Sequence, residues 1–163
     1  MTMEITLNDL TINPEGVDLD ELLSDWNWAM PEPMRPVLLT ALGDLFAQGE
    51  TGVVYFVDVI EGHIRVVAED GSVFEDLLSD MEFVTDHFFP SRIVELREAG
   101  IELEANQVYS HQLPLVLGGN DELENYETSD VRVYISIQGQ IHEQVKDLPE
   151  GTVISDVEIE DIE

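Results

Sequence analysis

The stretch VVYFVDVIEGHIRVVA, residues 53–68, decides the fold class of this chain. Its first half, Val53 to Val59, is rich in β-branched and aromatic residues, and His63 to Ala68 repeats that character after the turn signal Glu61-Gly62. Such residues favour extended strands, and a glycine between two such runs is typical of a hairpin. Residues 38–46 have a related apolar pattern, so we predict an antiparallel meander of three strands.

The residues that follow the meander have the spacing of an amphipathic helix. Apolar side chains recur there mostly three or four positions apart, at Phe74, Leu77, Leu78, Met81, Val84 and Phe88. Pro90 ends this pattern, because a proline inside a helix loses a hydrogen bond and clashes with the preceding turn. We predict a second helix that Ser91 caps and that ends at Gly100.

The N-terminal part of the chain is less regular. Residues 1–18 indicate either an irregular lead-in or an edge strand. Asp18 and Asp20 are candidate N-caps of a helix that runs through Trp26. Met30 to Pro36 contains three prolines and predicts a stiff, extended connector.

The C-terminal part alternates between extended and helical patterns. Val108 to Leu117 is loosely extended, and Asn120 to Asp130 is a polar loop. Val131 to Ile137 alternates apolar and other side chains, which predicts a half-buried strand, and Gln138 to Leu148 predicts a short helix. Ser155 to Glu163 is either a final edge strand or a frayed acidic tail.

Strands followed by helices, and then by a further strand and helix, indicate an α+β fold. We predict a single domain in which helices pack on one side of an antiparallel sheet. Its predicted parts are an N-terminal lead-in and helix (1–36), the α+β domain itself (37–154) and an acidic C-terminal strand or tail (155–163).

The charge of the chain excludes several kinds of partner. Its 163 residues include 36 acidic and 6 basic ones, which gives a formal net charge of −30. Such a surface repels phosphate backbones and anionic membranes, so we expect no direct binding of nucleic acid or membrane. Residues Met1 to Leu10 show no basic segment followed by an apolar one, and we expect a cytoplasmic protein.

Catalytic motifs are missing from the sequence. The chain has no cysteine, and it contains neither a G-x-S-x-G elbow nor an H-E-x-x-H motif. We therefore predict that it is not an enzyme and expect no cofactor. Two alternatives stay open: a metal-binding protein or metal-dependent enzyme that uses clustered carboxylates, and an acidic interaction domain with a housekeeping role.

Long intervals without a basic residue favour a basic macromolecular partner. No lysine or arginine precedes Arg35, none lies between Arg65 and Arg92, and none between Arg97 and Arg132. Carboxylates in these intervals repel one another, and a cationic partner relieves that repulsion and associates rapidly. The candidate partner-binding residues, which we expect to mimic phosphates, are Asp121, Glu122, Glu124 and Glu127 in the polar loop and Asp76, Asp80 and Asp86 on the predicted helix.

Several strings carry a resemblance to a known family. They are ALGDLF (41–46) and VYFVDVIEG (54–62), QVYS (107–110) and LPLVLGG (113–119), and VYISI (133–137) and GQIHEQVKDLPEG (139–151). With them the chain resembles, from about residue 37 to residue 151, the C-terminal domain family of type VI secretion immunity proteins that protect against a DNase effector.

The resemblance implies a cytoplasmic antitoxin without catalytic activity that binds a cognate effector. A nuclease is a fitting effector for so acidic a chain, because the groove of a nuclease must be cationic to hold phosphates. The sequence therefore predicts a protein that neutralises a basic toxin, most simply a nuclease, by covering its basic site. It makes no prediction of the oligomeric state.

Overall fold

A five-stranded antiparallel sheet forms the centre of the computed structural model, which describes residues 6–149, 151, 152, 154 and 157–160. Neighbouring strands of this sheet are consecutive in the chain, so the predicted antiparallel meander is confirmed. Residues 38–46, predicted as its first strand, instead contain the end of one strand, a turn and the start of the next, and a two-residue strand is added at the N-terminal edge. The strands are β1 (Thr11–Ile12), β2 (Met34–Thr40), β3 (Leu45–Gly49), β4 (Val54–Asp58) and β5 (His63–Ala68).

Strand β2 begins inside the predicted proline-rich connector. Pro36 lies within the strand, and the pairing with β3 shifts its register between Pro36 and Leu38. A proline has no N–H to give to a sheet, and a bulge is one of the places in a sheet that tolerate it. Residues 34–36 are therefore extended as predicted, but they are paired rather than free.

One face of the sheet packs against helices from the middle of the chain. Phe46 and Phe56 lie on this face with their ring centroids 5.0 Å apart, and they pack with Phe74 and Phe88 in one apolar cluster. The helices are α1 (Gly71–Leu77), α2 (Met81–Phe88) and α3 (Pro90–Glu98). The predicted α+β class is confirmed, with helices packed on an antiparallel sheet.

The long helix expected over residues 74–88 is two helices. Asp80 interrupts it, because its carboxylate accepts hydrogen bonds from the backbone N–H groups of Glu82 and Phe83 and so caps α2. The next helix begins at Pro90 rather than after a Ser91 cap, and Phe89 is its N-cap residue with a φ of 51°.

The other face of the sheet is covered by a helix where the sequence predicted a strand. The prediction of a strand at Val131–Ile137 is wrong, because these residues form the first half of α4 (Val131–Val145). Asp130 caps this helix by accepting hydrogen bonds from the N–H groups of Arg132 and Val133. Most of its buried positions follow the helical period: Val131, Tyr134, Ile135, Gln138, Ile141 and His142. Ser136 and Gly139 are buried as well.

A short 3₁₀ helix, Ser24–Ala29, packs against α4, and both contribute to the apolar cluster on this face of the sheet. The sequence expected an α-helix from Asp18, but residues 18–24 form successive turns with bonds between residues three apart. Trp26 of the 3₁₀ helix is fully buried, and its indole N–H donates to the Ile135 carbonyl at 2.9 Å. The apolar cluster on this side includes Leu45 and Val57 of the sheet.

A separate two-stranded sheet joins β6 (Gln107–His111) to β7 (Tyr126–Asp130). The predicted polar loop at 120–130 is thus a loop only in its first half, which contains the 3₁₀ helix Leu123–Asn125. Of the predicted C-terminal strand or tail, residues 155, 156 and 161–163 lie outside the described part of the chain, and 157–160 have no regular secondary structure. No helix in the described part is long and apolar enough to cross a membrane.

Candidate acidic cavity

A cavity of about 210 Å³ opens where the turns of the main sheet meet α3 and the β6–β7 sheet. Its apolar wall consists of Leu42, Ile60, Phe89 and Leu115. Four carboxyl groups also line it, those of Asp44, Asp58, Glu61 and Asp121. The positively charged side chain in the wall is that of Arg92. Acidic groups therefore outnumber the guanidinium in this concave surface.

Asp44 is the buried carboxyl group of the cavity, with 1% of its surface exposed. It follows Gly43, whose φ of +87° forms the turn between β2 and β3. Its partners are backbone N–H groups, that of Val59 at 3.0 Å and that of Ile60. Burial and the neighbouring charge of Asp58 raise the pKa of Asp44 well above its usual range, because the charged form loses its hydration.

Asp58, at the end of β4, is the second carboxyl group in this wall, and most of its surface is buried. Its Oδ2 lies 3.9 Å from the guanidinium of Arg65 and 3.9 Å from His63 Nε2. Its Oδ1 accepts the N–H of Glu61 at 2.9 Å and so closes the turn to β5. Asp58 is therefore held in place by its backbone bond and lies beside the guanidinium of Arg65.

Asp121 is the predicted site residue that the structure places in the cavity wall. Its Oδ1 lies 3.0 Å from His111 Nε2 and accepts a hydrogen bond from the Tyr126 hydroxyl, and its Oδ2 lies 3.2 Å from Arg92 Nη2. Partial burial would raise the pKa of Asp121, but the bonds from Tyr126 and His111 and the charge of Arg92 lower it. The result is a fixed negative charge at the cavity mouth.

The same cluster further stabilises the protonated form of the Tyr126 hydroxyl. Burial raises the pKa of the Tyr126 hydroxyl, and its hydrogen bond to Asp121 raises that pKa further. His111 lies directly opposite Tyr126 in the β6–β7 pairing, which brings both side chains onto the same carboxylate. The small sheet thus positions Asp121, which itself lies in the preceding loop.

The three other predicted loop residues lie outside the cavity wall. Glu122 and Glu124 are exposed on either side of Leu123, and Glu127 is exposed on β7. The loop is held by Asn125, whose side-chain amide donates to the carbonyls of Leu113 and Asn120. Glu122 and Glu124 therefore lie on an ordered loop that follows Asp121, and Glu127 lies on the strand after it.

The three predicted helix residues are not part of this site. Asp76 is exposed on α1 and Asp86 is exposed on α2. Asp80 is the N-cap of α2, a structural role that the sequence pattern did not indicate. The structure therefore does not bring the two predicted groups of carboxylates together at the cavity.

Sequence reasoning missed the buried carboxyl group. Asp44 is a charged residue within the apolar run Leu42 to Phe46, and a charge in such a run is a signal for a buried, functional or structural group. Tyr134 is a second buried polar group, because it is 7% exposed and its hydroxyl has no hydrogen-bond partner among the described residues. Within the described residues, no three side chains of His, Asp or Glu converge as a metal site requires.

Comparison with known proteins agrees with the resemblance. Residues 68–142 match the family model described as T6SS immunity protein Tdi1, C-terminal, so the predicted resemblance is confirmed over this segment. His111, Asp121 and Tyr126 lie inside the matched segment, whereas Asp44 lies outside it. The comparison with curated proteins gives no match.

A solved structure has a similar fold. It is the crystal structure of Atu4351 from Agrobacterium tumefaciens, with a TM-score of 0.54 and 17% sequence identity. The alignment covers 73% of this chain and 61% of that one, so the chain spans about three fifths of the length of its structural relative. At this identity the similarity shows the fold alone.

Proposed function

We propose that this chain is an immunity protein that binds and neutralises a cognate basic toxin, and that the toxin is a nuclease. The match of residues 68–142 to an immunity family supports the immunity role. The observation that carries the binding mode is the acidic cavity, in which Asp44 is buried with backbone partners alone. A lysine or arginine of the toxin enters this cavity, and the acids around its mouth cover the toxin's basic groove.

The long-range charge favours such a partner. A net charge of −30 attracts a cationic surface and accelerates association at low salt. A nuclease must have a cationic groove to hold phosphates. Glu122 and Glu124 on the loop that follows Asp121, and Glu127 on β7, are exposed carboxylates that resemble phosphates in charge.

The size of the cavity fits one side chain. At about 210 Å³ it is smaller than the usual pockets for drug-sized ligands, which are roughly 300–1,000 Å³. Its wall combines apolar side chains with carboxyl groups, which suits the aliphatic stem and the charged end of arginine or lysine. Arginine is enriched among the residues that contribute most to binding at protein interfaces.

The first experiment tests the three exposed carboxylates of Glu122, Glu124 and Glu127. The partner is a basic nuclease toxin encoded beside this chain's gene, with its catalytic residue replaced, and association is measured at several salt concentrations. Reversal of three charges in Glu122→Lys/Glu124→Lys/Glu127→Lys is expected to slow association by about tenfold or more and to flatten its salt dependence. The matched control, Glu98→Lys/Glu102→Lys/Glu104→Lys, makes the same change of charge on other exposed positions.

Two outcomes of this experiment would contradict the proposal. Equal slowing by both triple variants would mean that the association rate depends on the overall charge alone and that Glu122, Glu124 and Glu127 are not part of the binding site. A tight complex in which the unmodified toxin still cleaves plasmid DNA would mean that the chain does not neutralise a nuclease. The Asp121→Asn variant extends the series, because it keeps the shape of the side chain while removing its charge.

A second experiment tests the cavity itself. A cation beside Asp44 favours the charged carboxylate, so binding should lower the pKa of Asp44. At a pH below the pKa that Asp44 has in the unbound protein, binding should therefore release a proton. Calorimetry in buffers of different ionisation enthalpy measures that release. Asp44→Asn should abolish it and hasten dissociation, whereas identical proton release in the variant would remove Asp44 from the interface.

A further inference from the structure

Two glutamines of α4 hold the backbone of a separate, extended segment of the chain. Gln140 Oε1 accepts the N–H of Glu160 at 2.6 Å, and Gln140 Nε2 donates to the carbonyl of Glu160 at 3.3 Å. Gln144 repeats this arrangement with Glu158, at 2.9 Å to its N–H and 2.5 Å to its carbonyl. Each side-chain amide thus binds both polar groups of one residue's backbone.

The spacing of these contacts suits any extended polypeptide. Residues four apart on a helix are separated by about 6 Å along its axis, and residues two apart on a strand by about 6.6 Å. Gln140 and Gln144 therefore match Glu160 and Glu158 in an antiparallel arrangement. Because the bonds involve backbone groups alone, they do not require glutamate at those positions.

The two glutamines are themselves held in position. Gln140 Nε2 donates to the Ser136 hydroxyl at 3.1 Å, and that hydroxyl donates to the carboxylate of Asp25. Gln144 Nε2 donates to the Gln140 carbonyl at 3.1 Å. Side chains fixed in this way lose little freedom when an extended segment binds.

The charges around the segment are poorly matched to its acidic sequence. The groove beside it, of about 570 Å³, is lined by the carboxyl groups of Asp25 and Glu143 together with those of Glu158 and Glu160. The cation in its wall is Lys146, whose Nζ lies 5.3 Å from the Trp28 ring centroid. The segment therefore gains backbone hydrogen bonds against electrostatic repulsion.

We propose that this face of α4 is a binding site for an extended basic polypeptide segment, which takes the place of the chain's own residues 157–160. A basic segment keeps the four backbone hydrogen bonds and replaces repulsion from Asp25 and Glu143 by attraction. The site is distinct from the acidic cavity, and it stands whether or not the chain binds a toxin.

The test follows the amide exchange of Glu158 and Glu160 in the full chain, since these two N–H groups donate to the glutamines. The probe is a synthetic peptide with the sequence of residues 152–163 in which lysine replaces every Asp and Glu. At low salt we expect it to bind and to raise both exchange rates at least tenfold. The unchanged acidic peptide is expected to raise them far less.

Variants separate backbone recognition from simple attraction of charges. In the Gln140→Ala/Gln144→Ala variant, the backbone N–H groups of Glu158 and Glu160 should exchange rapidly even without peptide. The variant should also bind the lysine peptide at least tenfold more weakly. Glu143→Ala should keep both amides protected and weaken the lysine peptide only a few-fold. The proposal is overturned if the lysine peptide binds the double variant as tightly as the natural chain, or if it binds without changing the exchange of Glu158 and Glu160.

Discussion

The α4 side of the main sheet and the cavity side differ in how closely their parts approach. On the α4 side, three glycines allow contacts that an added Cβ would prevent: Gly43 against the ring of Tyr134, Gly62 against the ring of His142, and Gly139 against Asp25 and Trp26. On the cavity side, α3 and the small sheet leave a space of about 210 Å³ beside a buried carboxyl group. Close packing and open space thus lie within the same small domain.

This difference separates stability from binding. The α4 side buries large side chains with little room to adjust, so changes there should act on folding. The cavity side buries a carboxyl group whose pKa is raised by burial and by the neighbouring Asp58, which costs stability and favours binding of a positive charge. Changes in the cavity should therefore alter binding more than folding.

The largest expected effect lies on the α4 side, at Trp26. Its side chain is fully buried and donates to the Ile135 carbonyl at 2.9 Å, so Trp26→Ala removes a large apolar surface together with that hydrogen bond. We expect a loss of about 3–5 kcal/mol in the free energy of unfolding, measured by urea denaturation. Trp28→Ala, at a half-buried position, should cost clearly less, and an equal loss in both variants would contradict the assignment of Trp26 as the central contact.

The next effect compares two glycines with similar backbones. Gly62 has a φ of +84° and Gly52 a φ of +93°, so alanine is strained at both positions by about 1–2 kcal/mol. Only at Gly62 would the new methyl group also overlap a ring, that of His142, whereas nothing lies within 4 Å at Gly52. Gly62→Ala should therefore lower the melting temperature by several degrees more than Gly52→Ala, and equal shifts would show that α4 yields easily.

The fold was predictable from sequence where one structural reading was available. The hairpin of β4 and β5 follows from β-branched runs around Gly62, and it forms where expected. Residues 131–137 are different, because Val131, Ile135 and Ile137 satisfy a strand period as well as part of a helical one. The cap that Asp130 provides favours the helix over the strand. The sequence does not indicate this role, because aspartate is also common in polar loops.

The site was predictable in its sign of charge but not in its geometry. Composition indicates an acidic surface, yet it treats Asp121, Asp80 and Asp76 as equivalent. The structure makes one of them the centre of a cluster, one a helix cap and one an exposed carboxylate. Asp44 was overlooked because its importance depends on burial by segments distant in the sequence, including Val59.

Replacing the buried carboxyl group of Asp44 by an amide is expected to stabilise the folded chain. The raised pKa of Asp44 means that the folded chain keeps this proton to a higher pH than the unfolded chain does. Between the two pKa values the folded state binds more protons, so its stability falls as the pH rises through that window. Asp44→Asn should remove this fall, and its gain over the natural chain should grow from pH 4 to pH 8 in thermal unfolding.

The control for this variant is Asp76→Asn, which removes the same charge from an exposed position. Above the raised pKa of Asp44 each variant removes one negative charge, so the effect of burial distinguishes them there. An Asp44→Asn variant that is no more stable than Asp76→Asn at neutral pH would show that the buried carboxyl group is not a cost to the fold. The idea that it is held ready for a cation would then lose its energetic basis.

The smallest effect separates structural from exposed acids among the predicted site residues. Asp80 accepts hydrogen bonds from the N–H groups of Glu82 and Phe83, so Asp80→Ala should cost about 1 kcal/mol of unfolding free energy. Asp76→Ala should change it by less than about 0.5 kcal/mol, as is usual at an exposed surface position. If both variants are equally stable and both weaken toxin binding, the helices are part of the interface and the cavity is not its centre. If Asp80→Ala is less stable and toxin binding is unchanged in both variants, the interface is confined to the cavity side.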